Sequence, residues 1–149
     1  MSTLDITRTI DIHAPASKVW AAITDPALIA QWFGDTAEFV AEPGATGEFG
    51  WVDHGGSFRI LVEHVDEPKT LVYRWAREFD VDPAPGNSTL VRFDLEEIAQ
   101  GTRLTVFETG FEELADPQGA HDGNIKGWRA ELGELVEFLE SGAAAPASA

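Results

Sequence analysis

The chain has 149 residues, 26 Asp plus Glu against 10 Lys plus Arg, a net charge of −16 and no cysteine. That length suits one domain, which buries about 68–70% of its unfolded surface without staples. The lack of cysteine excludes disulfides, zinc–thiolate sites, iron–sulfur clusters and a thiol nucleophile, and the charge opposes nucleic acid and anionic membrane surfaces.

Residues 1–10 carry Asp5 and Arg8 and no apolar signal-peptide core. No run reaches the roughly 18 apolar residues that span a bilayer. A cytoplasmic location is the expectation. Residues 4–12 alternate as a strand, with Ile6, Ile10 and Ile12 on one face. Pro15 opens a helix whose apolar side is Val19, Trp20 and Ile23, and Asp25-Pro26 ends it. A second short helix follows over 27–32, closing at Phe33-Gly34.

From residue 37 the period changes to two. Strands are expected over 37–41, 47–52, 57–65, 70–77, 88–96 and 102–110. The separators, such as Glu42-Pro43-Gly44 and Ala99-Gln100-Gly101, are turn chemistry, and their short spacing favours an antiparallel meander. The last element is a helix in which Ile125, Trp128, Leu132, Leu135, Val136 and Leu139 repeat at three and four. Asp116 or Asp122 is expected to cap it, while Glu131, Glu134, Glu137 and Glu140 take its other faces. Residues 1–141 read as a single domain and 142–149, rich in Ala, as a disordered tail.

One helix covers about 10 Å of width, whereas seven strands at about 4.8 Å each are roughly three times wider. The sheet must therefore curl around the helix, with the two short helices at one end. The fold class is α+β: a curved antiparallel seven-stranded sheet wrapped around a long C-terminal helix. Such a wrap tends to leave space between helix and sheet.

Val19-Trp20-Ala21-Ala22-Ile23-Thr24-Asp25-Pro26 and Gln31-Trp32-Phe33 resemble the opening of the START-like (SRPBCC) superfamily, in its activator-of-heat-shock-protein-90-ATPase-like branch. Gly47-Glu48-Phe49, residues 71–75, residues 102–111 and residues 127–132 continue the resemblance in order. It covers roughly residues 5–140 and implies the helix-grip fold. Members of the superfamily include co-chaperones, binders of lipids, hormones or polyketides, and cyclases. The resemblance therefore does not choose a role.

Strand alternation groups candidate site residues. Phe49 with Trp51, Tyr73 with Trp75, and Phe93 with Val91 and Leu95 share faces that would meet Trp128 and Leu132. Each aromatic taken singly is core packing; as a group they suit a pocket. Trp32 joins them as a candidate. Glu108 lies on the face of Leu104 and Val106. A buried carboxylate there would be a general acid or base, or a ligand anchor; a solvated or ion-paired carboxylate is the plainer account. Arg77 alternates with Tyr73 and Trp75 and would bind a ligand carboxylate, or else lie exposed. His13, His54, His64 and His121 form no close pair, so no metal is expected; nor is a cofactor. His121 precedes the last helix and would reach a pocket mouth. Gly127 and Gly133 inside that helix imply either close packing or room for a ligand. Residues 79–87 form either a lid or a plain connection.

Three functions follow. The first is binding of a small, largely apolar ligand, lined by Trp32, Phe49, Trp51, Tyr73, Trp75, Phe93, Trp128 and Leu132 and oriented by Arg77 and Glu108, with a stress-related role. The second is a chaperone-activator-like interaction through the acidic helix face. The third is a cavity enzyme of cyclase, dehydratase or hydrolase type using Glu108. A monomer or homodimer is expected.

Overall fold

Residues 4–51 and 56–141 are described in a computed structural model. The predicted turn at His54 and the tail over 142–149 lie outside them. The elements run β1 (Ile6–Ile12), α1 (Ala16–Thr24), α2 (Pro26–Trp32), β2 (Thr36–Glu38), β3 (Thr46–Trp51), β4 (Gly56–Asp66), β5 (Thr70–Ala76), β6 (Ser88–Ile98), β7 (Gly101–Thr109) and α3 (Pro117–Glu140). A 3-10 turn, Phe111–Glu113, links β7 to α3.

The strands form one antiparallel curved sheet in the order β1-β7-β6-β5-β4-β3-β2. From β2 to β7 each strand pairs with its successor. Helices α1 and α2 carry the chain between the two edges. Asp25 organises that passage: it ends α1, and its carboxylate accepts from Ala27 N–H to open α2, where Pro26 fills the first turn. Trp32 Nε1–H donates to the Ala22 carbonyl at 2.8 Å and ties α2 back to α1. Gly34, at φ +75 and close to the Gly50 carbonyl, turns the chain into β2.

Strand β2 ends at Glu38, earlier than alternation predicts. Phe39 turns into the core and Glu42 N–H bonds the Val40 carbonyl, which takes the backbone off the edge of the sheet. Of the two caps open in the sequence, Asp116 starts α3: its carboxylate accepts from Gly119 N–H, with Pro117 in the first turn.

The concave face carries the core. Ile60, Val62, Leu71, Tyr73, Val91, Phe93, Leu104 and Val106 meet Trp128, Leu132, Leu135 and Leu139 of α3. Burial of such side chains contributes about 1.5–3 kcal/mol each. Among the described residues no helix is long and apolar enough to cross a membrane.

Candidate functional site

Glu108 is fully buried near the end of β7. Trp128 Nε1–H donates to its Oε1 at 2.8 Å, and Asn124 Nδ2 approaches both oxygens at 2.9 Å. The Thr89 hydroxyl donates to Oε2. Asn124 Oδ1 in turn accepts from Arg77 at 3.0 Å. The chain of contacts runs from Arg77 of the loop after β5, through α3, to Glu108 on β7. Burial raises the carboxyl pKa above the usual value, and the donors from Thr89, Trp128 and Asn124 and the charge of Arg77 offset that rise only in part. Tyr73 lies in the same interior, and burial first, then the charge of Glu108, push its hydroxyl pKa well above the usual value.

Beside this network a pocket of about 290 Å³ opens between α3 and the far half of the sheet. Its apolar lining is Phe33, Trp51, Phe58, Trp75 and Trp128. The rings interlock: Trp51 stacks on Trp75 at 6.3 Å, Phe33 on Trp128 at 5.7 Å, and Trp75 meets Trp128 edge-on at 6.1 Å. Arg77, Asn124 and Glu131 supply its polar groups, and Gly123 and Gly127 complete it from α3. Two polar atoms of these residues are buried without a partner among the described residues, Trp75 Nε1 and Glu131 Oε2. Glu131 is half-buried; burial, then the charges of Glu134 and Asp35, raise its pKa to about 7.

The family described as "Activator of Hsp90 ATPase homolog 1-like protein" matches residues 13–140. The chain belongs to this family. The match places it in the START-like superfamily, and the fold is one known for ligand binding in a cavity. Protein MLL2253 from Mesorhizobium loti is 27% identical with a TM-score of 0.80, over 92% of this chain and 97% of that one. DynU16, a putative protein in the dynemicin biosynthetic locus, is 30% identical with a TM-score of 0.79; it is matched over 95% of this chain but 49% of its own length. The Aha1 dimer of Colwellia psychrerythraea, 23% identical over 91% of this chain and 96% of that one, with a TM-score of 0.74, shares the fold. No curated protein sequence matches.

The chain brings Trp51, Trp75, Arg77 and Trp128 to the pocket wall. Phe49, Tyr73, Phe93 and Leu132 are buried in the core, outside that lining. Trp32 is likewise buried, its Nε1–H taken by Ala22. Glu108 sits behind the pocket, joined to it through Asn124 and Trp128. His121 does not line the pocket: its ring meets Phe111 edge-on at 5.6 Å, and its Nδ1 lies 3.2 Å from Asp122, whose pKa that hydrogen bond lowers. Among the described residues no cluster of three acids or histidines is arranged for a metal.

Phe33, Phe58, Gly123, Asn124 and Glu131 complete the lining beyond the residues singled out in the sequence. Phe58 was signalled by alternation with Ile60 and Val62, and Asn124 by its place one turn before Trp128. Glu131 departs from the solvated acidic face expected of it. It lies three residues after Trp128 and four before Leu135, so it borders the buried stripe of α3, whereas Glu134 and Glu137 have no buried α3 residue at those spacings.

Proposed function

We propose that this chain binds a small, largely apolar ligand in the pocket between its sheet and α3. The observation that carries the reading is five converging aromatic side chains around about 290 Å³, with Arg77, Asn124 and Glu131 among them. Mostly apolar linings with a few placed polar groups are how small-molecule sites are built. The family and its cavity-bearing fold support the same reading.

Glu108 fits the role of an anchor within this site. Thr89, Asn124 and Trp128 all direct donors at its two oxygens, so its acceptor capacity is engaged by protein rather than held for a substrate. It fixes Asn124 and Trp128, and with them one wall of the pocket.

Titration with the neutral probe N-phenyl-1-naphthylamine tests the proposal. Saturable probe enhancement with quenching of tryptophan emission is expected, because Trp51, Trp75 and Trp128 all line the pocket. In a folded Trp75→Ala protein the affinity should drop by about tenfold or more. Absence of saturable binding to the unaltered chain would overturn the proposal.

A further inference from the structure

Gly123, Gly127 and Glu131 stand four apart along α3, and all three line the pocket. Residues at that spacing lie on one side of a helix. A Cβ at Gly123 or Gly127 would meet no atom within 4 Å beyond the helix's own neighbouring backbone. Close packing therefore does not require either glycine, although both weaken the helix relative to alanine. What they provide is bare, nearly flat helix backbone facing a space walled by aromatic rings. From Gly123 to Glu131 the lane is about 12 Å long at 1.5 Å per residue, the length of roughly three fused rings.

A second observation gives this lane a polar end. Trp75 is only 8% exposed and lines the same pocket, and its Nε1–H has no partner among the described residues. That N–H can only donate. Glu131 contributes an unpartnered carboxylate oxygen from the helix side. A ligand that satisfies both offers an acceptor to Trp75 and a donor to Glu131. A ring hydroxyl supplies the two functions in one group. A carboxylated ligand would supply only acceptors and, where Glu131 is ionised, would set a like charge beside it, so Glu131 disfavours an anion at this end of the lane, while Arg77 in the same lining is engaged by Asn124.

We propose that Gly123 and Gly127 are specificity-determining positions, and that the pocket takes a flat, uncharged, hydroxyl-bearing polycycle lying along α3. Trp75 and Glu131 hydrogen-bond its polar groups. The inference rests on the ligand-binding reading above and deepens it.

The test uses 2-hydroxyfluorene, its parent fluorene, and globular adamantan-1-ol, titrated into the full chain by fluorescence or calorimetry. The unaltered chain should bind 2-hydroxyfluorene about tenfold more tightly than either of the others. In Gly123→Ala/Gly127→Ala, Tm should rise while 2-hydroxyfluorene affinity falls by about tenfold. A purely structural role for the glycines would not move stability and affinity in opposite directions. Glu131→Leu should abolish the preference for 2-hydroxyfluorene over fluorene. Undiminished 2-hydroxyfluorene affinity in the double alanine protein, or no preference among the three ligands, would sink this inference alone. Failure of N-phenyl-1-naphthylamine and all three ligands to bind the unaltered chain would sink the ligand-binding reading with it.

Discussion

Glu108 and Glu131 show how differently one residue type behaves behind a pocket wall and on it. Glu108 is sealed in but surrounded by donors; Glu131 is half-exposed and faces other carboxylates. The second arrangement has a thermodynamic consequence. Glu131 titrates at about 7 in the folded protein against 4.5 for an ordinary glutamate. Below pH 4.5 both folded and unfolded chains hold the proton. Between the two values the unfolded chain releases it and the folded chain does not. Stability from this group is therefore full below pH 4.5 and is lost as pH rises through about 7. Discounted for solvent screening at a half-exposed site, the share is about 1 kcal/mol, or roughly 2–4 °C in Tm. Glu131→Gln, neutral throughout, should shrink the fall in Tm between pH 5 and pH 8 by that amount; an unchanged pH profile would contradict the assignment. Glu108 was legible as inward-facing because Leu104 and Val106 mark its face. The position of Glu131 was not, because it stands at the margin of the apolar stripe, three residues from Trp128 on one side and three from Glu134 on the other, where spacing alone does not decide burial.

At the level of the element, α3 is built in two parts. Its second half, from Ile125, carries the apolar repeat that made it visible in the sequence. Its first turns, Pro117 to Asn124, have no such stripe. They are held by the Asp116 cap, by His121 against Phe111 and by Asn124 on Glu108. Long-range contacts of this kind leave no periodic trace, which is why the start of the helix was open between Asp116 and Asp122. Gly133 separates helix propensity from ligand space. It is exposed, lies outside the pocket lining, and a Cβ there meets nothing within 4 Å beyond the helix's own neighbouring backbone. Gly133→Ala should stabilise the protein by up to about 1 kcal/mol, read as a higher denaturant midpoint at unchanged slope, and leave probe affinity as it was. A loss of stability would mean that the glycine serves the backbone in some other way.

For the molecule as a whole, the meander from β2 to β7 and the curl were deducible from period-two segments, short turns and a single covering helix, but the place of β1 beside β7 was not. The depth of each aromatic was not. Phe49, Tyr73, Phe93 and the pocket-lining Trp75 all read alike along their strands, and Phe93 and Trp75 even stand at similar distances from Trp128, 5.9 and 6.1 Å, so only the three-dimensional packing sorts core from wall. The net charge of −16 acts at this scale too. The sheet arginines are partly neutralised, Arg103 by Asp11 and Arg92 by Asp94, so the surplus negative charge repels itself across the surface. Raising NaCl from about 10 mM to about 300 mM shortens the Debye length from about 30 Å to under 10 Å. Tm should rise over that range as the repulsion is screened; a flat or falling Tm would show that local ion pairs outweigh it.

The pairing of β1 with β7 places Ile6 opposite Glu108. These two strands lie far apart in the order in which a ribosome makes them. At about 5–20 residues per second, β7 emerges roughly 5–20 s after β1. As that interval runs, the strands from β2 to β5 can pair with their successors as each emerges, while β1 has no neighbour in the sheet and leaves its isoleucines and its backbone edge unpaired. The Glu108 anchor, the β1 seam and the helix that closes the pocket can therefore form only in the last moments of synthesis, together and at one end of the sheet.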